Sequence, residues 1–345
     1  MSQEFREFLR KVGSGTHTSK NLTRSEAKAA AKQILLQEAT PAQIGAFLIA
    51  HRIKRPTGEE LAGMLDAYDE LGGNIAKIPN FKRVTILSSP YDGRSRTAPL
   101  SIITGLILAS VGIPVLMHGG DRMPTKEGIP LISIWQSLGV NWTKLSLETV
   151  AKILEKESLS FYYLPKHFPL ANDLIPYREQ IGKRPPLATL ELIWSPYRGD
   201  YHLITGYVHP PTEKMIKDAF ALRGVDCFTT VKGLEGSCDL PSDRTAIISY
   251  KDSHKNSFER LNLNPRDYDL STQNIPLENT DILVGNITAV LQNKPSPWLN
   301  AVIWNGAFYL WHTGVCQDIK AGIDRVKNIL NQGKAWEKLK SLQNI

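Results

Sequence analysis

The sequence predicts an α/β protein: a small N-terminal helical domain, joined by a hinge to a large α/β domain with a mostly parallel central sheet. Two patterns carry this prediction. Apolar residues recur at helical spacing through the first 70 residues, and short apolar runs then alternate with helix-length segments. Such alternation is typical of a parallel sheet covered by helices on both faces.

Three capping boxes predict where the N-terminal helices begin. In each box a threonine at the N-cap precedes Glu or Gln by three residues, so that each side chain satisfies the other residue's backbone N–H. Pro41 occupies the first helical position of the second helix, where a missing N–H costs nothing. The three pairs are Thr23 with Glu26, Thr40 with Gln43, and Thr57 with Glu60.

Glycine and proline end the helical pattern within residues 70–81, and we place the hinge there. The predicted helical domain is residues 1–75, with a helical contribution from about 168–185, and the predicted α/β domain is residues 80–345. Helices are expected at 147–157, at 212–222 and in the basic tail from residue 317. The candidate strands are residues 84–88, 115–118, 161–164, 202–208, 227–231 and 246–250.

Ligands bind parallel sheets at the carboxyl ends of the strands. The loops at 88–97 and 118–122 follow two candidate strands and are therefore candidate ligand loops. The apolar stretch at 99–117 approaches the length of a membrane span, but Gly112 and Pro114 interrupt it. A buried helix followed by a buried strand explains this stretch better, so no membrane association is expected.

Composition favours anionic partners, because the 345 residues carry a formal net charge of +7. This mild excess does not by itself establish nucleic-acid binding. The three cysteines, Cys227, Cys238 and Cys316, lack metal-binding spacing and indicate a reducing compartment without disulfides or zinc. The charged N-terminus is unlike a secretory signal, so we expect a cytoplasmic protein.

Two regions resemble the anthranilate phosphoribosyltransferase family, also called glycosyltransferase family 3, a family of tryptophan biosynthesis. They are residues 22–68, beginning LTRSEAKAAAKQ, and the C-terminal segments LNAVIWNGAFYLW and AGIDRVKNILNQGKAWEKL. The resemblance implies a helical domain hinged to an α/β domain, and a homodimer formed through the helical domain. It also implies phosphoribosyl diphosphate, or another phosphate-bearing ligand, as a binding partner.

The family's diphosphate loop, Gly-Thr-Gly-Gly-Asp-Gly, corresponds to residues 88–93, where Asp92 and Gly93 alone are retained. Pro90 removes a backbone donor that such a loop needs. Arg94 and Arg96 follow and could replace lost donors, because arginine binds phosphate through two prongs; solvated loop positions remain the alternative. The implied phosphate-binding residues are Asp92, Gly93, Arg94, Arg96 and Ser101, the last from the family's Asn-Ile-Ser-Thr motif.

Two further family motifs imply a ligand cleft. The family's Lys-His-Gly-Asn-Arg motif retains His118 and Gly119, with Arg122 offset by one position. Arg178 matches the arginine in the segment through which the family contacts anthranilate. These four residues are the candidate cleft residues, although His118 equally suits a core position.

The resemblance also implies a Mg²⁺ site, weakened in this chain. The family binds the metal with an Asp-Glu pair, and Cys238 and Asp239 stand at those positions. A thiol is a poor ligand for Mg²⁺, which prefers hard oxygen atoms. Glu235 could supply the second carboxylate beside Asp239.

Two functions from different classes follow, and catalytic residues are not identified for either. The first is a divergent phosphoribosyltransferase that acts on an unidentified nitrogen acceptor and works poorly on anthranilate. The alternative is a non-catalytic protein that binds nucleic acid in a basic groove, a property of a branch of this family with altered motifs. The nucleic-acid contacts would be Arg94, Arg96, Arg122, Lys126, Lys183 and Arg184.

Overall fold

The computed structural model of the chain describes residues 3–15, 17–252 and 257–345. Its N-terminal part is helical, as the capping boxes predict. Each of the three threonines accepts a hydrogen bond from the third residue of its helix, whose side chain in turn accepts from the threonine N–H. The helices are α1 (Gln3–Gly13), α2 (Arg24–Leu35), α3 (Pro41–Lys54) and α4 (Gly58–Leu71).

A seven-stranded sheet forms the centre of the protein, in the order β3-β2-β1-β4-β5-β6-β7. Strands β1 to β5 are mutually parallel, whereas β6 and β7 pair antiparallel. All six candidate strands are present, and β7 was missed because polar residues such as Glu259 and Arg260 interrupt its apolar pattern. The strands are β1 (Val84–Leu87), β2 (Val115–Gly119), β3 (Leu159–Tyr163), β4 (Tyr201–Gly206), β5 (Phe228–Val231), β6 (Ala246–Asp252) and β7 (Ser257–Leu263).

Helices cover both faces of the sheet. The predicted helix at 147–157 is α7, and the prediction at 212–222 falls within α12. The remaining helices are α5 (Ser101–Ala109), α6 (Leu131–Ser137), α7 (Leu147–Glu157), α8 (Leu164–His167), α9 (Pro169–Asn172), α10 (Ile175–Ile181), α11 (Leu187–Ile193), α12 (Pro210–Arg223), α13 (Thr280–Leu291), α14 (Leu299–His312), α15 (Ile319–Asn331) and α16 (Lys334–Leu342).

The apolar stretch at 99–117 divides between α5 and the start of β2, both buried, as predicted. No helix among the described residues combines the length and the apolar character needed to cross a membrane.

Two apolar cores lie on opposite faces of the sheet. Successive side chains of β1 point to opposite faces, so Leu87 packs in one core and Ile86 in the other. The Leu87 core includes α5 and α14, whereas the Ile86 core includes the N-terminal helices. The N-terminal helices therefore belong to the core on one face of the sheet, where they pack on the helices that cover it, such as α12.

Close packing between α4 and α12 supports this arrangement. A Cβ atom added at Gly58 would lie 2.4 Å from the Cβ atom of Asp218 on α12. Arg24 donates from Nε to Asp66 at 2.6 Å, and Arg223 of α12 binds the same carboxylate. A glycine and a shared aspartate thus hold the helical part against the α/β part.

Candidate anion-binding site

Strand order reverses between β1 and β4: β2 and β3 follow β1 toward one edge of the sheet, and β5, β6 and β7 follow β4 toward the other. In open parallel sheets the crevice at such a reversal, beyond the carboxyl ends of the strands, is the usual ligand site. The loop at 88–97 after β1 lies at this edge, as do residues 118–122, of which His118 and Gly119 end β2, and residues 207–209 after β4.

Arg94 points inward from the loop after β1 and is 1% exposed. Its Nη1 donates to Asp239 Oδ2 at 2.8 Å and to Ser237 Oγ at 2.7 Å. Its Nε donates to Glu235 Oε1 at 3.3 Å, and its Nη2 donates to the Thr97 hydroxyl. The guanidinium is therefore bound to protein groups on both sides and is not directed toward the crevice.

Glu235 lies within a nest of backbone donors. Its carboxylate accepts from the N–H groups of Ser95 at 3.2 Å, Arg96 at 3.0 Å and Thr97 at 2.9 Å, and Lys126 Nζ lies 2.8 Å away. Successive backbone N–H groups of this kind form anion sites. Burial raises the pKa of Glu235, but Lys126, the Thr97 N–H and Arg94 outweigh it and hold the pKa well below its usual range.

The side chains of Arg94, Lys126, Glu235 and Asp239 form what we call the Arg94 cluster. Two carboxylates here meet two cations, and Arg94 contacts both carboxylates. The Mg²⁺ implied by the family therefore does not fit this pair as arranged. Among the described residues, no group of three or more His, Cys, Asp or Glu side chains could hold a metal ion.

The retained Asp92 and Gly93 lie beside this cluster. Asp92 Oδ2 is 3.2 Å from Arg184 Nε. Gly93 has a φ of 74°, and a Cβ atom there would lie 2.6 Å from the Ile129 backbone. Glycine is thus required at this turn both for its dihedral and for the close approach.

Several buried polar atoms around the loops after β1 and β2 lack a hydrogen-bond partner among the described residues. Such atoms are rare in folded proteins, and each calls for an explanation such as a bound ligand or water. They include Ser88 Oγ, Asp92 Oδ1, Ser101 Oγ, His118 Nε2, Glu191 Oε2 and Asp239 Oδ1. The candidate residues Asp92, Ser101, His118 and Asp239 are all in this set.

His118 lies in the core beneath the crevice. Its Nδ1 is 2.5 Å from the Tyr91 hydroxyl, and its ring packs edge-on against Trp194. Burial lowers the pKa of His118 to about 3, so the ring is neutral and Nδ1 can accept from Tyr91. Gly119 ends β2 beside Phe161, 3.2 Å from where a Cβ atom would stand.

The two candidate cleft arginines are both paired with carboxylates. Arg178 is 3% exposed, binds Glu191 and points Nη1 at Met123 Sδ, 2.9 Å away. Arg122 is on the surface and lies 2.9 Å from Glu127. Burial raises the pKa of Glu191 to about 7 despite its contact with Arg178.

Sequence reasoning missed a cleft of about 560 Å³ between the helical part and the end of β4. Its basic side chains are Arg52, Arg55, Arg184 and His209, and no Asp or Glu is among its lining residues. Pro185, Tyr207, Met215 and other apolar residues also line it. We call it the basic cleft. The one signal in the sequence was the run of basic residues at 51–55.

Comparison with known proteins agrees with this architecture. The helical bundle domain of the glycosyl transferase family matches residues 6–72, and the a/b domain of that family matches residues 92–336. Anthranilate phosphoribosyltransferase of Streptococcus mutans is 26% identical, over 94% of this chain and 95% of its own length. The Dictyoglomus thermophilum protein of that name is also 26% identical, over 98% of both chains.

Solved structures of anthranilate phosphoribosyltransferases share the fold. The Thermus thermophilus structure has a TM-score of 0.77 at 17% identity and covers 99% of both chains. The Saccharomyces cerevisiae structure in complex with PRPP and Mg has a TM-score of 0.83 at 17% identity, covering 99% of this chain and 97% of its own. With both domain models matched across most of its length, the chain belongs to the glycosyl transferase family that includes the anthranilate phosphoribosyltransferases.

Proposed function

We propose that the protein binds phosphoribosyl diphosphate at the carboxyl edge of the sheet and transfers its phosphoribosyl group to a nitrogen acceptor. The observation that carries this proposal is the set of unpartnered buried polar atoms around the loops after β1 and β2. The unpartnered serine hydroxyls and the imidazole N–H can donate to phosphate oxygens, and the unpartnered carboxylate oxygens can accept from ribose hydroxyls.

The chemistry needs no covalent nucleophile from the protein. The acceptor nitrogen forms a bond to the anomeric carbon while the bond to diphosphate breaks, and positioning and charge stabilisation supply the rate. Two cations contact the retained Asp92–Gly93 turn: Lys126 Nζ donates to the Gly93 carbonyl at 2.7 Å, and Arg184 Nε lies 3.2 Å from Asp92. We assign no step to Mg²⁺, because Arg94 and Lys126 already neutralise Glu235 and Asp239.

We propose an acceptor other than anthranilate. Arg178, the match to the family's anthranilate-contacting arginine, is paired with the buried Glu191 and is not free to bind an acceptor carboxylate. The glycine loop and the asparagine of the family are also replaced. A tryptophan auxotroph lacking its own enzyme should fail to grow when it carries this gene, and restored growth would contradict the proposal.

Calorimetric titration of phosphoribosyl diphosphate, in EDTA and in excess Mg²⁺, tests the ligand. We expect saturable binding in the wild type and weaker binding in Asp92→Asn, with Asp324→Asn, at an exposed position of α15, as the matched control outside the candidate ligand loops. An absence of heat in both buffers would rule out the transferase. An acceptor screen that follows diphosphate release then tests the reaction.

The basic cleft favours a second candidate, nucleic-acid binding without catalysis. A cleft with several cationic side chains and no acidic lining residue attracts a phosphate backbone. Arg96, Arg122 and Lys183 are exposed and Arg184 lines the cleft, whereas Arg94 is buried and Lys126 is paired with Glu235. Salt-dependent binding of oligonucleotides, with no response to phosphoribosyl diphosphate, would select this candidate.

We also propose a homodimer through the helical part. A groove of about 1250 Å³ lies between α1 and α3 and is lined by apolar residues including Ile49 and Ile53. Ile53 is 71% exposed, which is unusual for a large apolar side chain unless a partner covers it. The occupant we propose is the same groove of a second copy.

A further inference from the structure

We infer that Arg94 is a built-in cation that occupies the Glu235–Asp239 pair in place of a divalent metal ion, so that this pair is closed to metal. The inference goes beyond the proposed function, because it concerns how the chain itself balances charge at the site. It requires neither phosphoribosyl diphosphate nor an acceptor.

The charges of the Arg94 cluster already balance. Glu235 and Asp239 are 3% and 1% exposed and face Arg94, itself 1% exposed, while Lys126 also contacts Glu235. A divalent ion added beside these two cations would leave an uncompensated double positive charge in a buried place. Charges buried without partners are strongly unfavourable.

The oxygen atoms of the two carboxylates are also committed. Glu235 Oε1 accepts from Arg94, Arg96 and Thr97, and Oε2 accepts from Ser95 and contacts Lys126. Asp239 Oδ2 accepts from Arg94 and from the Leu100 N–H at 3.0 Å. Asp239 Oδ1 is thus the one oxygen of the pair without a partner among the described residues.

One free oxygen offers Mg²⁺ a single carboxylate ligand, so that water or phosphate would have to complete its octahedron next to the buried guanidinium of Arg94. The neighbouring side chain adds none: Cys238 is buried, and burial raises the pKa of its thiol. Arg94 instead links the loop after β1 to the turn after β5, as a bridging metal ion would. Its guanidinium is always protonated, so the positive charge is permanent.

Removal of Arg94 should therefore open the pair to metal. In Arg94→Met, Asp239 and Glu235 lose their shared guanidinium and offer carboxylate oxygens to a divalent ion. Arg96→Met removes the same group two residues further on, where the side chain is 79% exposed and its Nε lies 3.9 Å from Glu235, and serves as the matched control for an exposed guanidinium beside the pair.

Titration with Mn²⁺ alone, with unbound ion followed by electron paramagnetic resonance, tests the inference. We expect no stoichiometric binding by the wild type or Arg96→Met, and about one ion per chain in Arg94→Met. A wild-type protein that binds one Mn²⁺ and loses it in Asp239→Asn would overturn the inference. So would a folded Arg94→Met that binds none.

Arg94→Met could also fail to fold on its own, so its refolding is measured with and without millimolar Mn²⁺. A folded yield that depends on Mn²⁺ supports the inference, because the ion then replaces the lost guanidinium. A yield that is the same in both conditions contradicts it. Each of these outcomes is independent of whether the protein transfers phosphoribosyl groups.

Discussion

Arg94 Nη1 lies 2.8 Å from Asp239 Oδ2, and each of the two side chains is 1% exposed. The pair joins the loop after β1 to the segment before β6, 145 positions along the chain. Removing one member of a buried ion pair leaves the other charged and unpaired, which typically costs about 3 to 5 kcal/mol.

We therefore expect Arg94→Met, measured without divalent ions, to lose about 3 to 5 kcal/mol of unfolding free energy in urea. Arg96→Met, on an exposed side chain, should leave the urea midpoint nearly unchanged. Equal midpoints for Arg94→Met and the wild type would mean that the pair contributes no stability.

Stability should fall in mild acid because burial lowers the pKa of several histidines, among them His118, His202 and His312. Burial lowers the pKa of His118 to about 3 and that of His312 to about 4, from 6.5 in the unfolded chain. Below pH 6.5 the unfolded chain binds protons at these rings while the folded chain does not, so the unfolding free energy drops as pH falls. The loss by pH 5 is about 2 kcal/mol for each ring.

His118→Gln should remove one ring's share of this pH dependence between pH 6.5 and 5, since glutamine does not titrate and can still accept from Tyr91. The same change at His209, an exposed residue, is the matched control. Urea unfolding at several pH values measures the slope. Parallel slopes for His118→Gln and wild type would contradict the assignment of the protons to His118.

Glu235 should order the loop at 95–97, because its carboxylate accepts hydrogen bonds from the three backbone N–H groups of that loop. Glu235→Gln removes the charge that these donors and Lys126 face, so their amide protons should exchange with solvent about tenfold faster. Glu127→Gln makes the same charge change at a side chain that is 56% exposed, and should leave exchange at 95–97 unaltered. Unchanged exchange in Glu235→Gln would show that the loop is ordered by other contacts.

If nucleic acid is the partner, the basic cleft should carry part of the phosphate contact. Arg52→Ala combined with Arg55→Ala should lower the slope of log affinity against log salt by about 2 for an oligonucleotide. Lys320→Ala with Lys327→Ala removes the same charge from α15, outside the cleft, and should alter the slope less. Equal changes for both double variants would indicate that net charge, and not the cleft, determines binding.

The proposed dimer should depend on Ile53. Ile53→Arg places a charge in the groove between α1 and α3 and should give a monomeric mass in light scattering, where the wild type is dimeric at micromolar concentration. Ile282→Arg, at a 41% exposed position on α13, is the control and should remain dimeric. A monomeric wild type would refute the dimer itself.

Much of the fold could be predicted from the sequence because its signals are local. The capping box of Thr57 and Glu60 acts over three residues, and the apolar run at 84–87 identifies β1 without reference to the remainder of the chain. The edge strand β7 was not predicted, because the adjacent charged residues Glu259 and Arg260 interrupt the apolar pattern that identifies the other strands.

The site was harder to predict, because its contacts join distant segments. Arg94 was expected to face a phosphate, but Asp239 and Glu235 receive its guanidinium. Arg178 was assigned to a ligand cleft, and its partner is Glu191. The basic cleft includes Arg52 and His209, which are 157 positions apart and carry no shared motif.

The sequence by itself determined the helical start, the parallel sheet and the two loops at the carboxyl ends of its strands, since capping and hydrophobic periodicity act within a few residues. Only the tertiary structure decided which charges pair. Burial makes an unpaired charge costly, so each buried arginine takes the carboxylate that the packed loops bring within reach, whatever its distance along the chain.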